Sequence, residues 1–157
     1  MEEEGLVMAY KVDIKFTESY YKKLGLNGNQ YAKAVSETLS TSAVKAEEIV
    51  RREAPVITGN LRRSINHYVK GPFESGVRQD GADYWVDVEY GTKPHVITPK
   101  RGKALRFRVG GKYVFARKVN HPGSKPNPFV RRSVNKIKSQ RVVQNAFKMS
   151  LNRMGVL

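Results

Sequence analysis

The segment 29–54 has the apolar spacing of one long amphipathic helix. Its apolar side chains recur every three or four positions and so share a helical face: Tyr31, Val35, Leu39, Ala43, Ala46, Ile49 or Val50, and Ala54. Pro55 ends the segment, because the residue before a proline avoids the α conformation. We expect this helix to pack across an antiparallel sheet formed later in the chain.

The clearest strand signal is a β-hairpin over residues 104–116. Its turn falls at Gly110-Gly111, a pair that tolerates the positive φ angles of a two-residue turn. Pairing about this turn defines a core face and an outward face. The core face pairs Phe107 with Val114 and Leu105 with Ala116, and the outward face pairs Arg106 with Phe115 and Arg108 with Tyr113.

Other segments carry weaker signals. Residues 61–69 place Leu61, Ile65 and Val69 on one face and are predicted as a strand. Residues 84–90 alternate between two faces and are also predicted as a strand, with a helical turn as the alternative. A further strand is predicted over residues 9–16, and a short strand around Val77 is left open within the loop-like segment 71–81. Asn127 and Pro128 favour a helix that begins at Phe129. The apolar stripes of that helix are out of step near residues 139–141, which predicts a break there.

Together these elements predict one α+β domain over residues 1–157, a length that suits a single domain. A long N-terminal helix packs on an antiparallel sheet with a β-hairpin, and a C-terminal helix follows. The predicted parts are a flexible N-terminal extension 1–8, a helical region 17–54, a sheet region 61–118 with long loops 70–82 and 91–102, and a C-terminal helix 128–154. The predicted core contains Val35, Leu39, Ile49, Ile65, Val86, Leu105 and Phe107.

Charge is distributed very unevenly along the chain. Lysines and arginines number 29 and acidic residues 14, for a formal net charge of +15. Every acidic residue lies at or before Glu89, so residues 1–89 carry 12 basic and 14 acidic side chains. Residues 90–157 carry 17 basic side chains and no acidic one. A half-chain this basic predicts an anionic partner, either nucleic acid or an acidic protein surface.

Several function classes lack their sequence signals. The chain has no cysteine, which excludes disulfides and thiolate metal sites. Its histidines, His67, His95 and His121, are far apart, and we expect no two of them to meet. No apolar stretch approaches the ~20 residues of a membrane span, and the acidic N-terminus is unlike a signal peptide, so assembly in the cytoplasm is expected. No strong catalytic motif is present, which predicts a protein that is not an enzyme and has no cofactor and no metal.

Three patterns leave alternatives open. Asp83, Asp87 and Glu89 are a conceivable metal or acid/base cluster, although pairing of Asp87 and Glu89 with Arg106 and Arg108 is favoured. Basic and aromatic residues interleave at 106–108 and 112–118, as in proteins that grip phosphates and stack bases. A small ribonuclease toxin is the least favoured alternative, and its catalytic candidates are His67, Tyr68, Arg106 and Tyr113.

An ordered set of short phrases resembles a known family. The phrases are Ala54-Pro55, Thr58-Gly59-Asn60-Leu61-Arg62, Val88-Glu89-Tyr90-Gly91-Thr92, Lys103-Ala104-Leu105-Arg106-Phe107, Val114-Phe115, His121-Pro122-Gly123 and Pro126-Asn127-Pro128-Phe129-Val130-Arg131. In this order, and with a helix before and after, they are similar to the gene-product-ten-like tail-component family of lambdoid HK-type tailed bacteriophages. The resemblance covers about residues 30–150.

The resemblance implies a structural virion protein, a ring-forming neck or tail-completion component at the head–tail junction. It implies a homo-oligomeric ring, and as partners the portal or adaptor proteins or the tail-terminator proteins of the same particle. Packaged DNA in the channel is a further expected neighbour, and no membrane is involved. Candidate intersubunit or DNA-facing contacts are Lys93, Lys100, Arg101, Lys103, Arg106, Arg108, Arg131 and Arg132.

Overall fold

The computed structural model describes residues 22–100 and 102–157. The predicted extension 1–8, the predicted strand 9–16 and most of the predicted early helix at 17–24 lie outside the described residues. The chain divides into two compact units. Unit 1 contains the described residues up to Asp83 together with Phe129–Leu157, and unit 2 contains Tyr84–Pro128. The prediction of a single domain stays a prediction, and we describe each unit by itself.

Helix α1, Gly28–Glu53, is the long helix that the sequence predicts. Asn27 is its N-cap. The Asn27 side chain accepts a hydrogen bond from Gln30 N, and Gln30 Oε1 accepts one from Asn27 N, both at 2.9 Å. Ala54 is extended at φ −63° and ψ 130°, as expected before a proline. The predicted apolar face is buried at Val35, Leu39, Ala43, Ala46, Ile49 and Val50.

A short helix and a two-stranded sheet follow α1 in unit 1. Helix α2, Asn60–Ser64, occupies the first half of the segment that was predicted as a strand, and only Ile65–Val69 forms strand β1. The local cause is Gly59, whose positive φ of 80° lets the chain turn directly into a helical turn. Strand β2, Ser75–Gln79, lies within the predicted loop 70–82 and pairs antiparallel with β1.

Two C-terminal helices complete unit 1. Helix α4 spans Phe129–Ser139 and helix α5 spans Val142–Arg153 (α3 lies in unit 2). The predicted break between them is confirmed, and Arg141 has a left-handed φ of 49° there. Two clusters of buried side chains hold these helices on α1. Phe147 and Leu151 pack with Leu26 and Ala34, and Ile137 and Val142 pack with Ala46 and Ile49.

Unit 2 begins with a helix that the sequence analysis favoured as a strand. Helix α3 spans Trp85–Tyr90. Its two buried residues, Trp85 and Glu89, are four positions apart, which is the helical period and not the two-residue period of a strand. The alternating set that suggested a strand, Tyr84, Val86, Val88 and Tyr90, is exposed or only half-buried.

Four strands complete unit 2: β3 His95–Ile97, β4 Leu105–Val109, β5 Lys112–Ala116 and β6 Val119–His121. Strand β3 lies within the predicted loop 91–102 and pairs antiparallel with β6. Strands β4 and β5 form the predicted hairpin in the predicted register. The mixed α/β class is therefore confirmed, but in residues 22–100 and 102–157 the strands form three separate two-stranded sheets in place of the one predicted sheet.

The predicted core is confirmed in part. Val35, Leu39, Ile49 and Ile65, all in unit 1, are buried. Val86 and Leu105 are intermediate in exposure and Phe107 is 37% exposed in the single chain, so these three residues of unit 2 are less buried than the four of unit 1. Among the described strands, β4 and β5 pair only with each other.

Candidate assembly surface

The β4–β5 hairpin presents side chains on two opposite faces. Its turn residues Gly110 and Gly111 have φ angles of 56° and 81°, the two positive values that a type I′ turn requires. We call the side that carries Leu105, Phe107, Val109, Val114 and Ala116 the apolar face, and the side that carries Arg106, Arg108, Tyr113 and Phe115 the basic face.

The apolar face is open. Phe107 and its cross-strand partner Val114 are each 37% exposed, and Val109 beside the turn is 58% exposed. A lone two-stranded hairpin is marginally stable in water, so a face of this kind gains stability from any apolar surface that covers it. Contiguous exposed apolar residues of this type mark interaction sites on folded proteins.

The basic face is organised around one aromatic ring. The guanidinium carbons of Arg106 and Arg108 lie 4.9 and 5.2 Å from the centroid of the Tyr113 ring. Such contacts contribute about 0.5–1 kcal/mol each at exposed sites. Phe115, the predicted partner of Arg106, is directly opposite it in register but is 68% exposed. The predicted neutralisation of Asp87 and Glu89 by Arg106 and Arg108 is absent, since neither arginine forms an ion pair with a described residue.

Residues 88–97 and 119–127 meet in an antiparallel arrangement that we call the clasp. Besides the β3–β6 pairing, Thr92 and Ser124 exchange backbone hydrogen bonds of 3.1 Å, and Asn127 N donates to Val88 O at 2.8 Å. Two of the phrases that carry the family resemblance, Glu89-Tyr90-Gly91-Thr92 and His121-Pro122-Gly123, therefore lie side by side.

Glycines at the clasp are required by close backbone approach. A Cβ atom on Gly123, at φ 88°, would lie 2.2 Å from Thr92 O, and one on Gly91, at φ 72°, would lie 2.4 Å from Ser124 O. Both distances are far inside van der Waals contact, and both φ angles disfavour L side chains. These glycines are therefore explained by the geometry of the clasp.

Two histidines meet in the clasp, contrary to the expectation that none would. His95 and His121 are direct cross-strand partners, with ring centroids 5.1 Å apart. The His95 Nδ1 lies 2.8 Å from Lys93 O, and the His121 Nδ1 accepts a hydrogen bond of 3.1 Å from Gly123 N. Their 26-residue separation in the sequence gave no local signal, because the pairing depends on two three-residue strands.

The predicted contact residues of the long loop are exposed. Lys93, Lys100 and Lys103 are all exposed, and Arg101 lies outside the described residues. None of the three lysines forms an ion pair within the described part of the chain. Strand β3 shortens the segment predicted as a mobile loop, since His95–Ile97 is held by β6.

The last two predicted contact residues lie on α4. Arg132 Nε donates to Glu53 Oε2 at 3.1 Å, and Lys136 Nζ to Glu53 Oε1 at 2.5 Å. The hydrogen bonds from Lys136 and then Arg132 hold the pKa of Glu53 below its ordinary value. Arg132 is thus engaged within unit 1, where it ties α4 to the end of α1. Arg131 is exposed and also has an interaction within the protein.

The residues considered for the ribonuclease alternative lie in two units. His67 and Tyr68 belong to unit 1, and Arg106 and Tyr113 to unit 2. His67 hydrogen-bonds through its ring Nδ1 and its backbone N to Glu47, which also contacts Arg51 at 2.9 Å. Burial of the Glu47 carboxyl raises its pKa. The His67 hydrogen bonds and the Arg51 charge together lower that pKa by a larger amount, so it lies below its ordinary value. This pair joins α1 to β1 and was not predicted from the sequence.

The described residues were compared with the requirements of a metal site and of a membrane-spanning helix. Asp83, Asp87 and Glu89 are not part of any group of three or more potential metal ligands found in residues 22–100 and 102–157. Over the same residues, every helix is too short or too polar to cross a bilayer.

Comparison of the chain with protein-family models, with curated proteins and with solved structures finds no significant match.

Proposed function

We propose that this protein is a structural subunit of a tailed bacteriophage particle, a ring-forming neck or tail-completion component at the head–tail junction. The observation that carries the proposal is the open β4–β5 hairpin, which exposes an apolar face on one side and an arginine–aromatic face on the other. A surface of this kind suits a subunit that completes its packing in an assembly.

The distribution of ion pairs supports an anionic neighbour. In unit 1, Glu47, Glu48, Glu53 and Asp80 are each paired with a basic residue of the same chain. By contrast, Lys93, Lys100 and Lys103 have no ion-pair partner in the described residues. A ring of such subunits concentrates positive charge, which is relieved when the ring meets an acidic portal, adaptor or tail-terminator surface, or DNA phosphates.

Reconstitution with the neighbouring particle proteins tests the proposal. The purified chain is mixed with the portal and adaptor proteins encoded in the same genome, and the products are examined by size-exclusion chromatography and electron microscopy. We expect a ring of this chain on the portal–adaptor assembly. A chain that stays unbound across low and high salt, and is missing from purified particles, contradicts the proposal.

A nucleic-acid-binding protein is the second candidate, and the basic face favours it. Arg106 and Arg108 beside Tyr113 combine phosphate-binding groups with an aromatic ring. This candidate requires that the chain alone binds oligonucleotides, with an affinity that falls steeply as salt rises. The ribonuclease alternative requires in addition that RNA is cleaved and that replacement of His67, His121 or Tyr113 abolishes cleavage in a folded protein.

A further inference from the structure

The basic face of the hairpin places two cations opposite two aromatic rings. Arg106 and Arg108 lie on β4, and their direct partners on β5 are Phe115 and Tyr113. All four side chains are exposed, and Phe115 leaves 68% of its surface in water. Neither arginine forms an ion pair with any residue of 22–100 or 102–157. The face therefore carries both charge and apolar ring surface that the described chain does not use.

The two guanidinium groups are held in place by one ring. Their carbons lie 4.9 and 5.2 Å from the centroid of the Tyr113 ring. Arg106 and Arg108 are two residues apart on the same strand, so their Cα atoms are about 7 Å apart and their side chains project to the same face. A guanidinium that contacts a ring keeps the N–H groups at its edge, which bind phosphate oxygens. The face thus presents two positioned donors for neighbouring phosphate groups.

The exposed Phe115 ring narrows the choice of anionic ligand. An acidic protein surface or a free phosphate would neutralise the arginines but would leave this ring without a matching partner. A nucleic acid offers phosphates and flat bases together, and bases stack on exposed aromatic side chains. In a duplex the base faces are covered by the neighbouring pairs, whereas an unpaired strand can turn its bases outward. Phe115 therefore favours a single strand over a duplex.

Charge disfavours a second copy of this chain as the group that covers the basic face. Contact between the basic faces of two copies would bring four arginines together, and like charges placed opposite each other destabilise a contact. Residues 91–128, which contain the hairpin, carry ten basic side chains and no acidic one. The ligand of this face must therefore supply negative charge.

We propose that the basic face binds single-stranded nucleic acid. Arg106 and Arg108 bind neighbouring phosphates of the strand, and Phe115 stacks on a base beside them. Tyr113 is a positioning residue, because its ring holds both guanidinium groups. The inference goes beyond the neck assignment, since it requires no ring of subunits, and it names the ligand that the second candidate function would take.

Fluorescence anisotropy of labelled oligonucleotides with the full chain tests the stacking role. Phe115→Leu should weaken binding of a short oligothymidylate by about five- to one-hundred-fold, the effect of losing one stacked base. Binding of a duplex of equal length should change by less than about twofold, because only the unpaired strand offers a base to the ring. Phe115→Tyr keeps the ring and should keep the affinity. Oligouridylate is measured alongside, and binding of either single strand supports the inference and shows whether DNA or RNA is preferred.

The matched control for the ring is Phe107→Leu. Phe107 lies on the opposite face of the same hairpin, so its replacement should leave binding of the single strand unchanged. Equal losses for Phe107→Leu and Phe115→Leu overturn the inference, as does an equal loss of single-strand and duplex binding by Phe115→Leu. A wild-type chain that binds neither single strand also overturns it. Retained duplex binding by Phe115→Leu shows that this variant is folded.

Salt dependence tests the arginines. Replacement of Arg106 and Arg108 together by glutamine should reduce the slope of log affinity against log salt for the single strand by about 1.4, or about 0.7 for each phosphate contact. The control replaces Arg117 and Lys118 by glutamine, which removes the same charge just beyond the end of β5. The control should reduce the slope by less than half as much. Equal reductions would show that the charge acts from the whole region and not from the basic face.

The failure of this inference is distinguishable from the failure of the proposed function. Rings on the portal–adaptor assembly without binding of single strands leave the neck assignment standing and remove the inference. Single-strand binding that depends on Phe115, in a chain that is missing from purified particles, supports the inference and removes the neck assignment.

Discussion

Unit 1 and unit 2 bury their apolar side chains to very different extents. Unit 1 has two clusters of buried residues formed by α1 with α4 and α5, and buried Leu61 and Ile65 follow α1. In the described part of unit 2, only Trp85 and Glu89 are buried. Unit 2 instead depends on backbone pairing in its hairpin and clasp. Unit 1 therefore holds most of the buried apolar packing of the described chain, whereas unit 2 leaves most of its apolar side chains in contact with solvent.

The largest expected effect is on the unit 1 core. Leu151→Ala removes a side chain that is 3% exposed and packs with Phe147 and Ala34, so it should lower the free energy of unfolding by about 2–5 kcal/mol. The matched change in unit 2, Phe107→Ala, should cost the free chain less than about 1 kcal/mol, because that ring is already partly in water. Chemical denaturation of both variants measures the difference. Equal losses would break the comparison between the units.

The second effect concerns the backbone of unit 2. Gly123→Ala places a Cβ atom 2.2 Å from Thr92 O at a positive φ, so it should destabilise the clasp by about 2–4 kcal/mol. Gly110→Ala is the control, because its φ is also positive but its surroundings are open. Hydrogen exchange measured by mass spectrometry should show lost protection at residues 88–97 and 119–127 for Gly123→Ala, with α1 still protected. Loss of protection throughout α1 would mean that the clasp also supports unit 1.

The sequence predicted correctly those parts of the fold that are determined by contacts between residues close together in the chain. Helix α1 has one apolar stripe and a proline stop, and the hairpin register follows from the Gly110-Gly111 turn, so both were predicted correctly. For segment 84–90 the favoured strand was wrong and the alternative, a helical turn, was right, because seven residues are too few to separate a two-residue period from a helical one. The β3–β6 pairing was missed because it joins two three-residue strands from distant parts of the chain.

Some features of the candidate site were likewise predicted from the sequence and others were not. The faces of the hairpin follow from alternation and were predicted with their residues, including Arg106 and Arg108 on one side. The exposure of Phe107 was not predictable from alternation, since a period of two says which residues share a face but not whether anything covers it. The apolar cavity lined by Leu39, Val77 and Val134 lies where four elements of unit 1 meet, and no short segment carries a signal for it.

A third, smaller effect concerns the ion pairs that tie α4 to α1. Glu53→Gln removes the charge that holds Arg132 and Lys136 and should cost about 1 kcal/mol. The folded-state pKa of Glu53 is lowered, so its contribution is present above the ordinary carboxyl pKa of 4.5 and is lost as pH falls from there through the lower folded value. Denaturation at pH 7 and at pH 3 measures this. The wild type should lose its advantage over the variant at the lower pH, and an advantage that is constant with pH would contradict the assignment.

Replacement of the basic loop residues of unit 2, Lys100, Arg101 and Lys103, is expected to change the stability of the free chain least. It is nevertheless expected to weaken assembly clearly. Lys100 and Lys103 are exposed and lack ion-pair partners in the described residues, and Arg101, which lies outside them, adds a third charge between the two. Replacement of all three by serine should therefore leave the free energy of unfolding nearly unchanged. A surface ion pair contributes at most about 1 kcal/mol, so a single replacement should weaken docking slightly and the triple replacement distinctly.

The dependence of docking on salt concentration distinguishes a docking role of the loop from a purely structural role. Contacts between exposed charges weaken as ionic strength rises, so the proposed function predicts that docking of the wild type to an adjoining ring declines with salt more steeply than docking of the triple variant. Sedimentation of the ring complex over a range of salt concentrations measures both slopes. The control replaces Lys112, Arg117 and Lys118 with serine, which removes the same charge from the hairpin region of unit 2. Equal slopes for the wild type and the loop variant would show that these three charges do not reach the neighbouring ring, and the anionic partner would then have to contact another part of the basic half.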